Sequence, residues 1–124
     1  MRSATLKHIN DKMDALAIPY SFGEWNDDLP NTYFVGSYIE NPSMTLEENG
    51  HQKTTFILRG WTGGSWENLE TYKEKIEKNI METAILDDGT GVAIFYDSAT
   101  PVPTYAGGWK SIKINLTIQE WKVN

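Results

Sequence analysis

The chain has 124 residues, 40% hydrophobic and 23% charged, which suits a single globular domain built on one core and excludes a disordered segment. Seventeen acids against eleven bases leave a net charge of −6, a poor basis for gripping phosphates, so no specific nucleic-acid binding is expected. There is no cysteine, so disulfides and thiolate metal sites are excluded; no secretory leader or membrane-spanning run is read, and a reducing cytoplasm is expected.

Ser3 to Leu16 reads as a helix. Leu6, Ile9, Met13 and Leu16 recur at three and four residues, with Lys7, Asn10, Asp11 and Asp14 on the other side. Pro19 disfavours helix at Ile18 and ends the run. Tyr20, Phe22 and Glu24 alternate with Ser21 and Gly23 as a first strand, and Asn26 to Asn31 is a loop by composition. Thr32 to Glu40, rich in aromatic and β-branched residues, is the second strand. Gly36 in its middle marks a bulge or a close approach by a neighbour. Asn41 and Pro42 break it, Ser43 to Glu48 can extend a hairpin arm, and Asn49-Gly50 carries the signal of a tight turn.

The third strand, Thr54 to Trp61, is expected to pair antiparallel with the second. Gly60, Gly63 and Gly64 then supply backbone freedom for a chain reversal. Ser65 is the N-cap candidate for a second helix, with Glu67 and Glu70 in or near its positive first turn. Leu69, Tyr72, Ile76 and Ile80 form its apolar stripe. Glu70, Glu74 and Lys78, with Lys73 and Glu77, are spaced four apart on a solvated side, and the helix should end near Met81 to Thr83. Ala84 to Leu86 is a short apolar segment, Asp87 to Gly91 a turn, Val92 to Tyr96 a buried strand, and Ala99 to Gly108 an irregular loop. Ser111 to Val123 alternates strictly. Ile112, Ile114, Leu116 and Ile118 point to the core, while Lys113, Asn115, Thr117 and Gln119 face water or a partner. The order α-β-β-β-α-β-β implies a single α+β domain: an antiparallel or mixed sheet with two main helices packed on one face.

Chemistry-bearing patterns are sparse. His8 and His51 lack the spacing of metal ligands and read as surface histidines. The glycines of GWTGGSW lack the lysine of a P-loop and the order of a dinucleotide turn, so a structural turn is the better reading. Three groups of acids, Glu24/Asp27/Asp28, Glu47/Glu48 and Asp87/Asp88, could in principle supply a glycosidase pair. Each lies in a loop or turn where acids serve solvation and repulsion, so no catalytic residue, cofactor or metal is expected. The five tryptophans are the sharper signal. Trp25, Trp61, Trp66, Trp109 and Trp121 stand near element ends, where they can close the core, make subunit contacts or stack sugars. Core closure with subunit contact is favoured, since two helices in an α+β chain do not suit a β-sandwich lectin.

An opening helix, then IPYSFGEWNDDLPNTYFVGSYIE, a hairpin into TTFILRGW, the GGSW-led helix ENLETYKEKIEKNI and a last strand closing on TIQEW together resemble the small tail-terminator (tail-completion) proteins of long-tailed bacteriophages and prophages of Gram-positive hosts. The resemblance covers most of the chain and rests on the whole order rather than one motif. It implies a small α+β sheet with flanking helices that assembles into a hexameric ring in the host cytoplasm. Such a ring would cap the tail tube in the virion, stop its growth and offer the surface that docks on the filled head. Expected partners are therefore further copies, the tail tube protein and a head-completion or connector protein, with no catalytic residues to carry over. The five tryptophans and the Ser111–Val123 strand are candidate contacts. Some of Asp27, Asp28, Glu47, Glu48, Asp87 and Asp88 would line an acidic lumen that lets DNA pass. Alternatives are another head–tail connector or tail component, and a carbohydrate-binding module using exposed Trp and Tyr.

Overall fold

In the computed structural model, which describes residues 1–41, 52–103 and 108–122, the first helix runs over Ser3–Ala15 (α1). Ile9 and Met13 are fully buried, and Leu6 and Leu16 flank them as partly covered neighbours. Thr5 is buried too, which the apolar stripe alone does not reveal. Two extended segments follow: Tyr20–Phe22 (β1) and Thr32–Asn41 (β2). The chain continues through Gln52–Thr62 (β3), the helix Trp66–Asn79 (α2), Glu82–Ile85 (β4), Thr90–Val102 (β5) and Lys110–Lys122 (β6). This is α+β, with one strand more than the expected order.

The six strands form one mixed sheet in the order β1-β2-β3-β6-β5-β4. β1 runs parallel to β2 and every other pair is antiparallel. β6, last of the six in the chain, lies in the middle, between β3 and β5. Its alternation works as expected: Ile112, Ile114, Leu116 and Ile118 are buried on one face, level with Leu58 and Phe56 of β3 and Ile94 of β5. Leu69 and Ile76 of α2, Ile80 behind it, and Ile9 and Met13 of α1 close the same core, so both helices cover one face of the sheet.

Several expectations are corrected in detail. α2 ends at Asn79 with Ile80 as its C-cap, two residues short of the expected limit, because the chain must turn before β4 begins at Glu82. Ser65 holds the N-cap position, but its hydroxyl makes no capping bond. Gly60, Gly63 and Gly64 do not supply left-handed backbone, since positive φ is confined to Gly23, Gly89 and Gly108 among the glycines described, and Gly60 is needed for space. A Cβ at Gly60 would lie 2.8 Å from Cζ of Phe34 and nearer still to its Cε2. Gly36 marks a close approach, not a bulge; a Cβ there would stand 2.6 Å from the Tyr20 hydroxyl. The segment 99–102 is strand rather than loop. A bulge between Tyr96 and Ser98 resets the register, and β5 then continues beside β6 to Val102. β4 pairs only with 91–94, so Pro101 sits on an edge stretch, the part of a sheet that tolerates a residue without an N–H. The Asn49-Gly50 turn, Glu47, Glu48 and His51 lie outside the described residues.

Polar contacts fasten α1 to the sheet. Glu120 is 2% exposed; its Oε2 accepts bonds from the Arg2 amide at 3.0 Å and the Thr5 hydroxyl at 2.6 Å. A carboxylate is thus delivered from β6 to the positive N-terminal end of α1, which explains why Thr5 is buried. His8 is half-buried and contacts Glu82 of β4, and Lys12 reaches the same oxygen at 2.7 Å, so His8 is not a free surface histidine. Desolvation pushes the Glu82 carboxyl up, but the bonds and charges of Lys12 and His8 together outweigh it and hold it below the usual range. The Tyr20 hydroxyl donates to Asn10 at 2.9 Å, and burial raises its pKa far above the ordinary phenol.

Candidate interaction surface on the open sheet face

Because residues alternate along a strand, every core position in β2, β3, β5 and β6 leaves its neighbours on the opposite face, which no helix among the described residues covers. The register sets these residues in rows across the sheet. At one end, Tyr33, Trp61, Ser111 and Val102 lie side by side, and the next row holds Val35, Arg59, Lys113 and Thr100. Further along, Ile39, Thr55 and Thr117 form a row beside Phe95, and Trp121, Gly91 and Ile85 close the far end. Ile39, Phe95 and Ile85 are large apolar side chains left exposed on this face.

Three of the five tryptophans converge at the first row. Tyr33 stacks on Trp61 with centroids 5.2 Å apart, meets Trp25 at 5.5 Å and takes Trp109 edge-on at 6.1 Å. Trp25 is brought there by the loop after β1, where its indole N–H donates to the Asp28 carbonyl at 3.2 Å. Trp109 immediately precedes β6, and Lys110 beside it donates to the Gly64 carbonyl at 2.9 Å, tying the start of β6 to the turn before α2. Trp121 lies at the opposite end, its indole over Gly91. Trp66 opens α2 on the other side of the sheet and is 42% exposed. The expected aromatic contacts therefore divide into one cluster of three and two separate residues.

Charge is distributed unevenly. Lys53, Arg59 and Lys113 project exposed from the open face, and Asp97, at the bulge, is the one carboxylate that joins them among the described strand residues, through the Thr117 hydroxyl at 3.5 Å. Arg59 lies over the Trp61 ring at 5.5 Å and directly opposite Lys113. Neither cation has a carboxylate partner among the described residues. Like charges opposed across strands cost stability, so this pair is a local penalty in a protein whose net charge is −6.

Among the described residues, the candidate lumen acids are not gathered in one place. Asp27 and Asp28 are exposed beside the aromatic row, and Asp87 and Asp88 are exposed in the β4–β5 turn at the far end of the sheet. Among the described residues no cluster of three or more His, Cys, Asp or Glu could hold a metal ion. A shallow cleft of about 280 Å³ lies between α1 and β4, lined by Lys7, His8, Asp11 and Asp87 among others, and another of about 220 Å³ lies by Asn10 and Tyr20. No helix among the described residues is long and apolar enough to cross a membrane.

The sequence patterns predicted a two-sided β6 but not the aromatic convergence, which depends on strand order. Tyr33 and Trp61 meet only because β2 and β3 pair in this register, and Trp109 joins them only because β6 inserts beside β3. No protein-family model matches the chain, and neither does any curated protein sequence.

Proposed function

We propose that the protein is a structural component of a phage or prophage tail, a terminator that assembles as a ring on the end of the tail tube, ends its growth and presents the head-docking surface. It acts by shape and not by transforming a substrate, and it works in the virion after assembly in the host cytoplasm. The observation that carries this reading is the sheet face left open opposite both helices, furnished with an aromatic cluster, exposed Ile39 and Phe95, and two cations without a carboxylate partner among the described residues. Aromatic and arginine side chains around a flat apolar surface are the usual ingredients of a protein–protein contact. The resemblance in element order adds the specific assignment to a tail end. Mixing the protein with assembling tube protein tests it: tube length should become fixed and ring-shaped caps should appear by electron microscopy. Tubes that grow unchanged at any ratio would defeat the assignment.

The aromatic cluster also keeps a carbohydrate-binding reading alive, because Trp25, Trp61 and Trp109 gather at one rim. Against it, Tyr33 already engages all three rings. Titration with oligosaccharides, followed by tryptophan fluorescence, separates the two: a saturable shift in a protein that remains monomeric would favour sugar binding.

A further inference from the structure

The surface that complements the open face lies on α2 of the same chain. Glu67, Glu70, Glu74 and Glu77 recur at three, four and three residues, so they line one flank of the helix. All four are exposed, and Trp66, 42% exposed, begins the same flank. Lys73, which pairs with Glu70 at 3.2 Å, and Lys78 border this flank, so four carboxylates against two amines leave it acidic; Glu67, Glu74 and Glu77 have no ion pair among the described residues. On the opposite flank Lys75 donates to the Leu16 carbonyl at the end of α1, at 2.8 Å, so the acidic side points away from α1 and is open to a partner.

We infer that a second copy of this chain seats this acidic flank of α2 on the open sheet face, placing Glu70, Glu74 and Glu77 against Arg59 and Lys113, with Trp66 at the aromatic rim. This deepens the ring reading and rests on it only in requiring self-association. The dimensions agree. α2 is about 21 Å long at 1.5 Å per residue. The strip of β2 from Tyr33 to Ile39, with β3 and β6 beside it, offers about 20 Å. The carboxylates would relieve the Arg59–Lys113 repulsion that the single copy carries. Helices and open face lie on opposite sides of the sheet, so each copy presents one surface to each neighbour. Such a contact is heterologous and repeats, closing into a ring where the rotation allows.

Charge reversal provides the test. The face variant Arg59→Glu/Lys113→Glu and the helix variant Glu70→Lys/Glu74→Lys/Glu77→Lys each set like charges against like. Both alter exposed side chains, and circular dichroism would verify folding. Sedimentation velocity at low salt, alone and with assembling tube protein, should show association of the parent chain weakened at least about tenfold in each variant. An equimolar mixture of the two variants should recover it, because every contact is then oppositely charged in one sense or the other. Added salt should weaken all of these contacts. If the parent forms rings or caps tubes and the variants do so equally well, the interface is wrong while the ring reading stands. If the parent neither associates nor caps tubes, both fail. If the face variant loses binding to a single-stranded oligonucleotide while self-association is unchanged, the occupant is nucleic acid and the inference falls.

Discussion

Gly60→Ala tests the claim that the glycine before Trp61 makes room for a ring rather than supplying backbone freedom. Its φ is not in the left-handed region, so alanine meets no backbone penalty and should by itself gain about 0.5–1 kcal/mol relative to glycine in an extended segment. The new Cβ, however, would stand 2.8 and 2.9 Å from Cζ and Cδ2 of Phe34, and closer to Cε2. Phe34 is fully buried and packed edge-on against Tyr72 at 5.9 Å, so its ring cannot move without opening the core beneath α2. Overpacking of this kind costs about 1–3 kcal/mol, which exceeds the backbone gain and leaves a net loss of about 1–2 kcal/mol. Urea unfolding should show a midpoint lowered by about 0.5–1 M at unchanged slope. Phe34→Leu in the same chain should shrink the penalty, giving a coupling of about 1 kcal/mol in a double-mutant cycle. A Gly60→Ala protein as stable as its parent would refute the reasoning.

Thr5→Val keeps the shape of a buried side chain but removes the hydroxyl from Glu120, and should destabilise by about 1–3 kcal/mol in urea or thermal unfolding. Glu82 has a folded-state pKa below its ordinary 4.5, so its contribution is present above that value and lost as pH falls through the folded pKa. Glu82→Gln should therefore flatten the acid limb of the stability profile below about pH 4.5, while leaving its shape at neutral pH unchanged. Gly91→Ala would drive a Cβ into the Trp121 indole, 2.7 Å from Cζ2 and nearer to Nε1, so the indole must leave its place over β5. Tryptophan emission should shift to longer wavelength, and the shift should vanish when Trp121→Phe is the background.

Local patterns were legible in the sequence wherever one element decided its own form. The alternation of Ile112 to Ile118 predicted which side of β6 is buried, and the Leu69–Ile76 spacing predicted the inner side of α2. Long-range placement was not. A two-residue Asn49-Gly50 turn continued as an unbroken ladder would put Glu40 opposite Arg59, yet the structure puts it opposite Thr54. That difference reverses which side of β3 opposes which side of β2 and decides whether Tyr33 meets Trp61 at all. Glu120 is a carboxylate, a residue type rarely buried in full, so its identity alone did not announce its burial near the end of β6. Its inward position follows from the same parity that buries Ile118, and its acceptability from α1, whose N-terminus lies more than a hundred residues earlier. β4 was legible only as the short apolar segment Ala84 to Leu86, because four residues are too short a run to show a strand period, and the bulge at Asp97 disguised the continuation of β5 as a loop.

The position of β6 also has a consequence for how the molecule comes into being. Until that strand has been synthesised, β3 and β5 each face an empty slot with an unsatisfied backbone edge, so the nascent polypeptide cannot close its sheet as it emerges from the ribosome. Acquisition of the native state must then wait for pairings distant in sequence, which favours slow kinetics and gives chaperones a window in which to act.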